Sequence, residues 1–402
     1  MKEQQIKIIV GALGGDEGKG LATDYFASKA EGNILGVLTN GSSQRAHTVD
    51  TFDGKHHVFS HFSSATFRGA DTYISKYFVV NPIKFAEEYV QLQREFGITP
   101  KVYMHPDCKF VTPWDILANL AELKRTTAYN STGCGFWKTL ERYNNDVFAL
   151  SFKEAYNLTS YNGSTFKDII QYYQKDLDLL STSIKRTGLE SRFNKAGLER
   201  HFIDDMIFLS NHVIWTNDVI LNRYDNIIFE NGQGLMIGQQ YTSEKDWKYC
   251  TPSNTGVEYA VNMIKKIKPF EFEKKDIEIC YISRTYMTRH GDGDILKACD
   301  KRDINPMIYD QTNVFNACQG HLRYGLLPVK EMMDNICLDM ALALGLHFTK
   351  FNMDYITCSL MLTHWNEYHD DNVEALFERF EKVYISDNKT AESVKLKEEV
   401  IE

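Results

Sequence analysis

The 402-residue chain is 43% hydrophobic and 25% charged, a balance that fills one large α/β core or two smaller ones and excludes a disordered chain. A formal charge of −9 and a pI near 5.8 exclude a generally basic nucleic-acid or membrane-surface binder and point to a small phosphorylated ligand. Eight cysteines without a C-x-x-C pair, an N-terminus running straight into a strand pattern and no long apolar run predict a reduced, cytoplasmic chain without disulfide, structural zinc, signal peptide or membrane span.

In chain order, "IKIIV" (6–10) predicts a first strand and "LATDYFASKA" (21–30) a helix behind it. Between them lies "GALGGDEGKG" (11–20), which fails the P-loop spacing: Leu13 stands where its first glycine belongs and Gly20 where Ser or Thr would meet magnesium. A glycine-rich strand-to-helix turn still directs backbone N–H groups toward an anion at the positive helix end. Asp16, Glu17 and Lys19 read as a base, a structural acid and a phosphate-binding cation, with a charged solvent-exposed turn as the alternative.

"NILGVLT" (33–39) predicts the next strand, and the "TNGSSQRAHTVD" loop (39–50) offers Gln44, Arg45 and His47 to a phosphate, unless His47 is only a satisfied loop histidine. "DTYISKYFVV" (71–80) and "KVYMH" (101–105) are further strands, and "PWDILANLAELKRTTA" (113–128) is a helix. In "YNSTGCGF" (129–136), Ser131, Thr132 and the amides from Gly133 suit a monophosphate, and a plain helix-ending turn fits equally. Residues 151–222 read as helices with no strand signal, a helical insertion against the sheet.

"NIIFEN" (226–231) predicts a buried strand that runs into Asn231-Gly232-Gln233-Gly234, where a carboxamide can read a base edge; Thr251 and its neighbours in "YCTPSNTG" add hydroxyls. "DIEICYISRTY" (276–286) and "HFTKFNM" (347–353) are further strands. "YMTRHGDGD" and "DQTNVFNACQGHLRYG" supply Arg289 and Arg323 for a carboxylate or phosphate, or for structural salt bridges. The alternation predicts one α/β domain over residues 1–385, a mostly parallel central sheet flanked by helices with helical insertions. Residues 386–402 read as a polar tail or frayed helix.

Taken in order, "GDEGKG", "AHT" (46–48), "STGCG" (131–135), "FENGQG" (229–234), "TPSNT" (251–255), "TRHGDG" (288–293) and "TKFN" (349–352) resemble the adenylosuccinate synthetase family, over roughly residues 5–365. The resemblance implies a cytoplasmic homodimer that uses GTP or ATP and magnesium to join L-aspartate to C6 of a purine nucleoside monophosphate. It assigns Asp16 as the base for the N1 proton and, with the Ala46 carbonyl, as a magnesium ligand. His47 would donate to the transferring phosphate, with Lys19 offsetting its charge and Gln233 touching the base. Gly15, Glu17, Gly18, Gly20, Lys350 and Asn352 would contact the nucleoside triphosphate. Gln44, Arg45, Ser131, Thr132, Gly133, Asn231 and Thr251 would contact the monophosphate, and Arg323 and Gln319 the amino acid.

The chain departs from the family pattern at four places. Gln44-Arg45-Ala46 stands where Asn-Ala-Gly is usual, which puts a new cation beside the nucleotide. The family's partner-subunit arginine has no clear equivalent, so either Arg45 replaces it within the chain or Arg142 reaches across a dimer. The arginine-rich aspartate segment is reduced to Arg323. Asn352 replaces the guanine-reading Asp of "TKLD", which weakens GTP preference and opens ATP use, unless Asp354 restores it. Asn352 and "QGHLRYG" also resemble the phage branch acting on (d)GMP with ATP, whereas the retained Asp16 favours IMP. A non-catalytic nucleotide-binding regulator is the alternative of another class, and a hydride-transfer enzyme is disfavoured because no G-x-G-x-x-G follows the first strand.

Overall fold

The computed structural model describes residues 4–126, 131–144, 171, 178, 195–267, 277–309, 315, 318–344 and 356–397. A ten-stranded sheet runs, edge to edge, Val394–Leu396, Lys382–Ser386, Ile356–Thr363, Ile277–Arg284, Gln5–Gly11, Asn226–Gly234, Ile34–Leu38, Asp71–Ile74, Val102–Met104 and Val213–Trp215. Every adjacency is parallel except the first, where Val394–Leu396 runs antiparallel to its neighbour. This is the mostly parallel sheet that the alternating apolar runs predict.

The central strands are apolar on both faces because helices cover both. Ile6, Ile8 and Val10 pack with Ile227, Phe229, Ile279 and Tyr281 on one side. Ile9 faces the other way and joins Ile228, Cys280 and Ile282 beneath Leu21 and Phe26 of the helix Lys19–Ser28. Each such fully buried side chain contributes about 1.5–3 kcal/mol relative to exposure. A second core, with Phe62, Phe85, Tyr89, Phe202 and Leu209, holds the helices Pro82–Phe96 and Lys195–His212 against the outer strands.

Two expectations change. The stretch read as purely helical contains Val213–Trp215, which closes one edge of the sheet in register with Val102–Met104. Three residues directly after a long helix carry no alternation of their own to announce a strand. The expected tail likewise supplies Val394–Leu396 at the opposite edge, so the ordered fold continues past residue 385. The strand expected at 347–353 lies outside the described residues.

Strand order places the ligand loops. From Gln5–Gly11 the chain steps outward through Ile34–Leu38 to Val213–Trp215, returns to insert Asn226–Gly234 beside its first strand, and then builds the other half. The reversal makes the carboxyl ends of these central strands a topological switch point, where crossover connections part and leave a crevice. Two of the glycine-bearing loops, 12–18 and 39–46, leave from there, beside the end of the strand Asn226–Gly234.

Candidate active site

The first loop is organised by Glu17. Its buried carboxylate accepts from Leu13 N at 2.9 Å and Gly15 N at 2.8 Å, and from Lys19 Nζ at 2.7 Å. Gly234 packs so closely that a Cβ there would lie 2.6 Å from Glu17 Oε1, so the end of the strand Asn226–Gly234 is seated against the first loop. Gly18 caps the following helix at φ 98, a left-handed conformation that favours glycine. Asp16 also has positive φ, 58, and its carbonyl accepts from Arg284 Nε at 2.6 Å while Thr363 Oγ1 donates to the Glu17 carbonyl at 2.8 Å. Its carboxylate is exposed, and no described residue pairs with it.

His47 begins a short hairpin strand, His47–Asp50, and is buried beside Glu230, which the strand Asn226–Gly234 carries inward. His47 Nδ1 lies 2.7 Å from Glu230 Oε1, and Arg45 Nε donates to the same Nδ1 at 3.0 Å. Burial and the Arg45 charge hold His47 down at about 3. Burial alone would raise Glu230, but the Arg45 charge and the bonds from His47 and Ser64 prevail and hold it at about 2. The Arg45 guanidinium forms an ion pair with Glu230 through Nη2, out of line for a hydrogen bond.

Several buried polar atoms on these loops and on the 251–256 loop have no hydrogen-bond partner among the described residues: Ser42 Oγ, Gln44 Nε2, Arg45 Nη1, Gln233 Oε1 and Thr255 Oγ1. Buried polar groups are ordinarily hydrogen-bonded, so each of these atoms is open to a polar ligand or water. Gln44 also ties in the third loop: its Oε1 faces Cys134 Sγ at 3.7 Å, next to Ser131, Thr132 and Gly133. Ser131 Oγ donates to Asn119 Oδ1 at 2.9 Å, and the helix Phe136–Asn144 starts directly behind this turn.

Other expected contacts are made within the protein. Asn231 donates to Thr255 O and Gly256 O at 3.1 and 2.6 Å and accepts from Thr39 Oγ1, so its amide fastens the Thr251 loop to the sheet. Arg323 Nη2 donates to the carbonyls of Gly291 and Gly293, and Arg289 to those of Asp294 and Tyr249. The two arginines sit opposite each other across an antiparallel pair, and among the described residues each donates to carbonyls and makes no salt bridge. The Gln319 carbonyl accepts from Gly291 N at 2.9 Å, which places that residue on the same turn. Arg142 does not reach outward. It is fully buried, bonded through Nε and Nη2 to Asp115 at 3.0 Å and through Nη2 to Phe110 O at 2.8 Å. Lys350 and Asn352 lie outside the described residues.

Three supporting residues escape the sequence reading. Glu230 is hidden in an apolar strand, although an acid among "NIIF" residues is itself the signal of a buried partner. Arg284 and Asp339 give no such sign. Asp339, on the helix Val329–Leu344, is pushed up to about 6 by burial, against bonds from Tyr241, Tyr281 and Val257 N, and anchors the end of the 251–256 loop.

The adenylosuccinate synthetase family model matches residues 8–328. Adenylosuccinate synthetases of Mesoplasma florum and Blochmanniella pennsylvanica are 25% and 24% identical over 263 and 254 residues, 65% and 62% of this chain. The matched region spans only 58% and 55% of those relatives' length. Among solved structures, the fold is similar to succinoaminodeoxyadenylate synthetase of cyanophage S-2L, a structure with dGMP and dATP bound, at TM-score 0.66 and 14% identity over 98% of this chain and 95% of that one. It is also similar to fully ligated adenylosuccinate synthetase of Plasmodium falciparum, at TM-score 0.68 and 14% identity over 97% and 99%. The ordered loops, the site they enclose and the family match over most of the sequence agree: this chain belongs to the adenylosuccinate synthetase family.

Proposed function

We propose that the protein is a ligase that joins L-aspartate to C6 of a purine nucleoside monophosphate, most directly IMP, at the expense of a nucleoside triphosphate. Asp16 carries the reading. Glu17 and Lys19 pair with each other inside the loop, whereas Asp16 is held at positive φ, exposed and without a partner among the described residues. A loop that fixes a backbone so closely and leaves one acid free suits a general base awaiting its substrate.

In this reading Asp16 accepts the purine N1 proton, which makes O6 nucleophilic toward the γ-phosphate. His47 donates to the phosphoryl group in transit, and the loop amides and Lys19 offset its charge by position alone. Gln233, whose buried Oε1 has no protein partner, meets the base, and Ser131, Thr132 and Thr251 meet the 5′-phosphate. Arg289 and Arg323, bonded to carbonyls among the described residues, keep their charge for the amino acid's carboxylate. The aspartate amine then displaces phosphate from C6. One carboxylate and one backbone carbonyl, Asp16 and Ala46, form an oxygen donor set that suits magnesium shared with substrate phosphates. Bound there, magnesium would neutralise the phosphate charge. A homodimer and a weakened preference for GTP over ATP, from Asn352, complete the proposal.

The test is phosphate release by the purified protein with L-aspartate and magnesium, crossing IMP, GMP and dGMP against GTP and ATP. IMP-dependent release is expected. Release only with a guanine monophosphate moves the substrate to diaminopurine synthesis, and none with any pair refutes the ligase.

A further inference from the structure

We propose that Asp339 is a positioning residue for the monophosphate: its carboxylate holds the junction between the 251–256 loop and the helix that follows, and a proton taken up there loosens the junction and weakens binding. Asp339 lies on the helix Val329–Leu344 and is almost fully buried. Three donors from three other elements converge on it. Tyr241 Oη, at the end of the turn Gln239–Tyr241, donates to Oδ1 at 2.8 Å, and Tyr281 Oη of the strand Ile277–Arg284 donates to Oδ2 at 2.8 Å. Val257 N straddles both oxygens, at 3.0 and 3.3 Å.

Val257 stands at the head of the helix Glu258–Ile267, where its carbonyl accepts from Val261 N. The carboxylate therefore satisfies one of the amides that a helix leaves open at its positive end. It presses on the loop as well: a Cβ on Gly256 would collide with Asp339 Oδ1 and Tyr241 Oη. The loop's other fastenings differ in kind. Thr251 N donates to Ile237 O at 2.7 Å, and Asn231 Nδ2 holds Thr255 O and Gly256 O, all neutral groups. Glu258 accepts from Asn254 Nδ2 but is only half-buried, so water can take over its role.

A proton on Asp339 does not fall equally on its partners. A tyrosine hydroxyl can turn and accept from a neutral carboxyl, whereas the Val257 amide can only donate. That amide exchanges a charge-assisted bond for a neutral one about half as strong, so the junction with the loop loses most. Burial pushes Asp339 up to about 6 against the bonds from Tyr241, Tyr281 and Val257 N, and the Glu258 carboxylate adds to the rise. Cys358 faces it from the strand Ile356–Thr363, and Lys265 of the helix Glu258–Ile267 turns to Ala343 O at 3.2 Å, so Asp339 has no ion pair among the described residues. The step from loop to ligand rests on the proposed reading of Thr251; the step from Asp339 to the loop does not.

Two measurements test this from pH 5 to 8: titration calorimetry with IMP, GMP and dGMP, and hydrogen exchange of the Val257 amide in ligand-free protein, relative to an unstructured chain at the same pH. Asp339→Asn, which copies the neutral side chain in shape, is expected to bind the monophosphate about five- to tenfold more weakly than wild type at pH 8 and nearly equally at pH 5. The ligand phosphate also titrates at about pH 6, but it does so for both proteins and cancels in the ratio. Protection of the Val257 amide should fall about five- to tenfold from pH 8 to 5 in wild type and stay low and flat in Asp339→Asn. Tyr241→Phe removes one donor and should move both wild-type midpoints to higher pH, which keeps the proposal testable if Asp339→Asn fails to fold. A binding ratio that does not change with pH, wild-type Val257 protection that is constant from pH 5 to 8, or an unmoved midpoint in Tyr241→Phe overturns the proposal. Absence of monophosphate binding by wild type at every pH would sink the ligase reading and leave the exchange result to decide the role of Asp339 at the loop.

Discussion

Replacing Glu17 by alanine should cost about 4–5 kcal/mol, most of a small stability margin. The carboxylate is buried and serves three donors: Leu13 N, Gly15 N and Lys19 Nζ, all at 2.7–2.9 Å. Lys19 is as deeply buried as its partner, so its ammonium would be left as an unpaired interior charge, a loss of about 3–5 kcal/mol on its own. Leu13 N, also buried, adds about 1–3 kcal/mol, partly offset as the loop relaxes and admits water; half-buried Gly15 N can turn to solvent. Urea unfolding of Glu17→Ala, Lys19→Met and the double variant gives the answer. The double variant should recover about 2 kcal/mol of the sum of the singles, because it no longer buries a lone charge. A loss under about 1 kcal/mol in Glu17→Ala, or a double variant worse than additive, would show that the ion pair does not organise this loop.

Asp16→Asn should lower kcat by about 10²–10⁴-fold while leaving the unfolding midpoint unchanged, since the residue is exposed and has no partner among the described residues; steady-state phosphate release and a thermal melt check both halves. Arg142→Met should lose about 3–5 kcal/mol in urea unfolding by stranding buried Asp115, and mixing it with Asp16→Asn subunits should restore no activity; recovery on mixing would put Arg142 back at a subunit interface. Acid should destabilise the protein in two overlapping stages. His47 is depressed from 6.5 to about 3, so the unfolded chain gains its proton first and stability falls as pH drops below about 6.5. Glu230, depressed from 4.5 to about 2, adds stability above 4.5 that is lost toward pH 2. Thermal melts from pH 7 to 4 should show this slope, and His47→Gln should flatten its upper part.

The elements legible in the sequence were those whose burial is written locally. "IKIIV", "NILGVL" and "NIIF" are apolar on both faces, and the glycine turns that follow them could hardly serve another purpose than close backbone approach. Val213–Trp215 and Val394–Leu396 were not legible because each is a strand only by virtue of the edge it finds. The site divides the same way. Asp16, Lys19 and Gln233 stand in glycine turns, whereas Arg284, Glu230 and Asp339 act through partners remote in sequence, and Arg142, one of two candidates for the family's partner-subunit arginine, is buried in the core. Helical periodicity cannot distinguish an arginine facing solvent from one facing a buried aspartate.

The insertion of Asn226–Gly234 between the first two central strands has a consequence for how the protein is made. Gln5–Gly11 and Ile34–Leu38 emerge early from the ribosome, yet they are not neighbours, and the gap between them waits for a strand made nearly two hundred residues later. Until then the glycine loop lacks Gly234 to rest against, and the loop's clamps, Arg284 and Thr363, come later still. Such distant pairings make folding slow and leave apolar strand edges open while synthesis proceeds. The nucleotide crevice is thus among the last features to form, and a chain truncated before residue 363 should fail to bind nucleotide even though it contains every glycine of the first loop.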